Sequence, residues 1–148
     1  MAKYTIPQVK LTYVGEPIPA TKIIGSLESA RIFRESYEEG EIEYTEHFKV
    51  LYLNRANKIL GLHEVSKGGT SACIVDVKVI FTGALLANAS SIIVCHNHPS
   101  GNLCPSIQDD QLTKKLVDAG KLLDLKVLDS LIVTKDSYYS YVDHGRLY

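Results

Sequence analysis

Long apolar runs, an excess of charge of either sign and paired cysteines are all missing from this 148-residue chain. No stretch approaches the roughly eighteen consecutive apolar residues that cross a bilayer, and no charged-then-apolar leader pattern opens the sequence. The expectation is a protein with no membrane attachment. Its 16 basic and 17 acidic residues leave a net charge of −1, so charge alone does not support nucleic acid as a partner through broad phosphate contacts. Three cysteines, with no Cys-x-x-Cys spacing, exclude a disulfide scaffold and fit a reduced, cytoplasmic protein. The nine tyrosines do not interleave with Lys or Arg, which excludes a stacking platform for single-stranded nucleic acid.

What is present is an ordinary globular composition, 45% hydrophobic and 22% charged, long enough for one domain with a proper core. Residues 1–25 read as a short strand (Val9, Leu11, Tyr13) followed by a proline-containing arm, and residues 26–148 as the domain. Ser26 opens a helical spacing (Leu27, Ala30, Phe33, Tyr37) that Gly40 ends. His47–Asn54 and Ile59–Val65 read as a β-hairpin around the turn Arg55–Lys58, and Cys73–Val75 as a further strand. Asp76 caps a helix with Val77, Ile80, Phe81, Ala84 and Leu85 on one face. The strand Ser91–Cys95 follows, then a helix over Ile107–Leu123, a strand over Lys126–Thr134 and an edge strand over Tyr138–Val142.

The informative stretch is the junction after Ser91–Cys95. His96 and His98 lie two residues apart at a strand end, so alternation points both the same way. Ser106 caps the next helix, and Asp109 falls in its first turn. Each residue alone has an unremarkable explanation: a chance loop pair, an N-cap, a favourable charge at a helix N-terminus. Together they form the ligand set of a catalytic zinc, two imidazoles and one carboxylate with a fourth position for water. Cys104 is a further thiol within reach of that loop, whereas Ser100 and Asn102 read as loop-shaping residues. Cys95 turns away from the histidines and reads as a small buried hydrophobe.

The pattern His96-x-His98, seven residues, Ser106, two residues, Asp109 resembles the JAMM metal motif of the JAB/MPN family, and His96-Asn97-His98-Pro99-Ser100-Gly101 with Pro105-Ser106 is similar to its RadC-like branch, over about Ser26 to Tyr148. The resemblance implies an α/β fold, a three-layer α/β/α arrangement with a mixed β-sheet like that of cytidine deaminases. It implies a zinc metallopeptidase or isopeptidase acting on a peptide or isopeptide substrate, with one zinc held by His96, His98 and Asp109. Ser106 would donate to the oxyanion and an upstream glutamate would act as general acid/base. The family pattern points to Glu64 near the end of the second strand, with Glu43 and Glu46 as rivals ahead of the first strand; His63 faces the other way. Asp129-Ser130 departs from the Asp-His pair common in this branch, leaving Asp129 as a candidate acceptor behind a ligand histidine. Members commonly carry an N-terminal helix-hairpin-helix region, for which residues 1–25 have no room. The alternative function is a DNA-repair or mobile-element accessory with a structural or vestigial zinc. A zinc deaminase is rejected, because its His-x-Glu and Pro-Cys-x-x-Cys are missing. No feature speaks to the oligomeric state.

Overall fold

The structure, a computed structural model, describes residues 21–68 and 74–148. The expected strand at Val9–Tyr13 and residue Cys73 lie outside the described residues. Within them, helix α1 (Ser26–Glu35) and a 3-10 turn (Glu41–Glu43) precede strands β1 (His47–Leu53) and β2 (Ile59–Lys67). Then come α2 (Val77–Leu86), β3 (Ser91–Asn97), α3 (Ile107–Leu122), β4 (Lys126–Val133) and β5 (Tyr138–Ser140). The five strands form one mixed sheet in the order β2-β1-β3-β4-β5. Only β3 and β4 run parallel, joined through α3; the other neighbours are antiparallel.

The period of two along each strand builds a core on either face. Phe48, Val50, Tyr52, Ile92 and Val94 pack with Ile80, Phe81 and Ala84 of α2 and Leu116 of α3. Leu51, Leu53, Ile93, Cys95, Leu131 and Val133 pack with Ala30 and Phe33 of α1. The result is three layers, α1 below the sheet and α2 with α3 above it. That is the expected α/β arrangement.

Several boundaries differ from the sequence expectation. Helix α1 stops at Glu35, well before Gly40, because Ser36 Oγ donates to Phe33 O and the buried Lys49 ammonium donates to Ser36 O. Gly40 instead opens the 3-10 turn with φ of +82°. Ile74 and Val75 are outside any strand, and Ile74 is 91% exposed. The parallel strand–helix–strand unit among the described residues is β3-α3-β4, with His96 near the carboxyl end of its first strand. Asp76 does cap α2, its Oδ1 accepting from Lys78 N–H at 2.9 Å. No helix among the described residues is long and apolar enough to cross a membrane.

Candidate metal centre

β3 ends in a buried His96 followed by Asn97, and His98 begins the loop. The His96 ring stacks on Phe48, its cross-strand partner on β1, at 6.1 Å between centroids and 9° between planes. His98 donates from Nδ1 to Asn102 O at 2.5 Å. In the neutral ring that bond leaves Nε2 as a bare lone pair. The loop keeps its shape through Gly101 at φ +83°, Ser100 Oγ accepting from Asn102 N–H and Asn102 Oδ1 accepting from Cys104 N–H.

Helix α3 brings the carboxylate. Ser106 Oγ accepts from Asp109 N–H at 3.1 Å, and Asp109 Oδ2 accepts from Ser106 N–H at 2.8 Å, a reciprocal capping box. This fixes Asp109 with Oδ1 3.2 Å from His96 Nε2 and Oδ2 3.4 Å from His98 Nε2, the two nitrogens being 3.0 Å apart. Donor atoms set tetrahedrally around zinc at about 2.0–2.1 Å lie about 3.4 Å from one another. The three groups therefore fit a metal ion. Burial works against the Asp109 charge, but hydrogen bonds from both histidines outweigh it and hold the carboxyl well below the usual range. Burial likewise opposes the His98 cation, yet Asp109 and the Asn102 carbonyl bring the net shift upward.

A fourth group stands beside them. Among the described residues, the ligand atoms of Glu46, His96 and His98 all lie within 4.8 Å of one another. Glu46 precedes β1, which runs antiparallel to β3 with Phe48 opposite His96. Two residues ahead of Phe48, it keeps the same side of the pleat as His96. Burial raises its pKa, with His96 and His98 pulling back and Asp109 adding to the rise.

Glu64 is placed elsewhere. It pairs with Lys49 on the face that carries Cys95, opposite to His96, where its carboxylate meets His47 Nδ1 and lies 4.0 Å from Lys49 Nζ. The structure thus brings together His96, His98, Asp109 and Glu46, with Ser106 at the rim, and does not bring Glu64. Asp129 is also remote: its oxygens accept from Ser130 N–H, Ser140 Oγ and Val142 N–H, tying β4 to β5 and the tail. Ser130 Oγ lies 3.1 Å from Thr113 Oγ1 on α3. Cys104 is exposed and outside the convergent set; Cys95 is fully buried, which pushes its thiol pKa up. Glu46, ranked behind Glu64 from the sequence, has one signal in its favour, its even spacing from Phe48, which becomes legible only once β1 is known to pair with β3.

A profile of the RadC-like JAB domain matches residues 25–146. The chain belongs to that family. Among similar curated proteins, a UPF0758 protein of Flavobacterium johnsoniae is 50% identical over 106 residues, 72% of this chain and 46% of the relative. One of Caldanaerobacter subterraneus is 48% identical over 88 residues, 60% of this chain and 38% of the relative. One of Methanosarcina acetivorans is 44% identical over 100 residues, covering 68% and 44%. The chain spans about half the length of the curated relatives it matches.

Proposed function

We propose that the protein is a zinc-dependent hydrolase of amide or isopeptide bonds. The observation that carries this reading is the convergence of His96 Nε2, His98 Nε2 and Asp109 within 3.0–3.4 Å, with the Glu46 carboxyl alongside. His96, His98 and Asp109 would hold the ion. Zinc, when bound, supplies a Lewis acid for the substrate carbonyl and lowers the pKa of water toward about 7.

The protein's own residues do the rest. Glu46 takes the proton from the attacking water and hands it to the leaving nitrogen. Its burial works against the charged form, which helps a group that must accept a proton and then release it. Ser106 uses its oxygen lone pair on Asp109 N–H, which leaves its hydroxyl hydrogen to donate to the developing oxyanion. The Phe48 stack and the Asn102 carbonyl keep the two imidazoles in orientation.

The accessory reading, with a structural or vestigial zinc and a nucleic-acid partner, is less well supported. Residues 35–46, which lead into the site, contain six glutamates and no lysine or arginine. Lys67 and Lys135 reach in to pair with Glu41 and Glu43, so the flank presents paired charges rather than a basic surface for a phosphate backbone.

Elemental analysis of the full chain tests the proposal. We expect one zinc per chain in the wild type, loss in His98→Ala, and retention in Glu46→Gln and Glu64→Gln. Against any isopeptide-linked peptide that the wild type cleaves, Glu46→Gln should lower turnover about 10²–10⁴-fold, while Glu64→Gln stays near wild type. A wild type that cannot be loaded with zinc would sink the hydrolase reading.

A further inference from the structure

The proposed mechanism needs Glu46 held in register with two histidines that arrive on a different strand, some fifty positions later in the chain. Asn97, the residue between those histidines, is fully buried. It ends β3 on the face opposite to His96, beside Cys95's side of the pleat. Its amide has two N–H donors and two acceptor lone pairs, and all four are used. Nδ2 donates to Ile42 O at 2.9 Å and Thr45 O at 2.8 Å. Oδ1 accepts from His47 N–H at 2.7 Å and from Tyr37 Oη–H at 3.2 Å.

Thr45 and His47 are the two neighbours of Glu46. One side chain therefore grips the backbone immediately before and immediately after the proposed acid/base. The Glu46 carbonyl is held in turn by Gly68 N–H at 2.8 Å. The segment 42–47 is not regular strand until His47, so the β1–β3 ladder does not by itself fix where Glu46 sits. A misplacement of about 1 Å in a reacting group costs about 10²-fold in rate, and buried hydrogen bonds of this kind are well suited to prevent it.

We infer that Asn97 is a positioning residue that sets Glu46 over the metal centre by clamping the backbone on both sides of it. The inference rests on the metal-hydrolase reading above. It differs from a plain structural role for a buried asparagine, because it requires that Asn97 act through Glu46 and not through general stability or through its neighbours His96 and His98.

The test is a double-mutant cycle read at the metal. The full chain, as wild type, Asn97→Ala, Glu46→Gln and the double variant, is loaded with Co²⁺ for its visible absorption spectrum and titrated with Zn²⁺ against a chelator. Glu46→Gln should shift the cobalt bands. Asn97→Ala should reproduce that shift and weaken zinc about tenfold, the scale for groups that orient a metal site from outside its ligands. In the Glu46→Gln background Asn97→Ala should add no further band shift and change zinc affinity less than about twofold. Equal effects in both backgrounds would mean that Asn97 acts on the histidines and would overturn the inference. So would an unshifted spectrum in Asn97→Ala, or in Glu46→Gln itself. A wild type that binds neither ion removes the hydrolase reading, and this inference with it. Circular dichroism monitors folding; if Asn97→Ala does not fold, Asn97→Asp, which keeps the acceptor for His47 N–H but loses both donations, carries the same comparison.

Discussion

Asp109 Oδ1 faces His96 while Oδ2 accepts from Ser106 N–H, so one carboxylate both begins a helix and meets the histidine pair. Asp129 has a different task, closing three hydrogen bonds that join β4 to the C-terminal segment. Asp129→Ala would leave Ser130 N–H, Val142 N–H and Ser140 Oγ without that acceptor. It should lower stability by about 2–3 kcal/mol, measured by urea unfolding, with the zinc content unchanged. Loss of zinc in a folded Asp129→Ala protein would instead tie Asp129 to the histidines. At this scale the convergence of His96, His98 and Asp109 was legible because they lie within one strand–loop–helix connection, where local spacing decides geometry. Glu46 was not. Which glutamate meets His96 depends on an antiparallel pairing between strands that are distant in sequence, and on which side of the pleat each residue falls. Glu64 sits toward the matching end of the sheet, one strand further out, but on the wrong face.

The elements that the sequence pattern described well are those whose ends have local causes: Asp76 caps α2, and Ser106 caps α3. The end of α1 was missed because it is set by Lys49, which reaches Ser36 O from β1. The apolar pair Ile74-Val75 suggested a strand, yet no ladder partner holds it among the described residues. The exit of α3 depends on a close approach: Gly120 O accepts from Leu125 N–H at 2.8 Å, and a Cβ on Gly120 would lie 2.2 Å from Leu125 O. Backbone, not a movable side chain, blocks that space. Gly120→Ala should therefore cost about 2–3 kcal/mol despite the better helix propensity of alanine, visible as a lowered thermal midpoint. An unchanged midpoint would show that the α3–β4 turn can open at no cost.

For the molecule as a whole, the mixed sheet gathers the start of β1, the end of β3 and the start of α3 at one end. Metal binding across three elements should stabilise all of them together. Zinc at about 100 times its dissociation constant adds about 2.7 kcal/mol, which for a chain of this size is a rise of about 5–10 °C in thermal midpoint. Chelator should reverse the rise, and His98→Ala should lack it; a wild type that melts at the same temperature with and without zinc contradicts binding at this site. The same topology places the β1–β2 turn at the opposite end of the sheet from the histidine cluster. The β1–β2 turn, where Asn54 Oδ1 accepts from Ala56 N–H and Lys58 N–H, is exposed at Arg55 and Ala56. It stands a whole seven-residue strand from Glu46, about 20 Å away along the chain direction. That tip is the natural attachment point for a fluorophore, an affinity handle or an inserted sensor domain, since cargo there hangs clear of the histidine cluster.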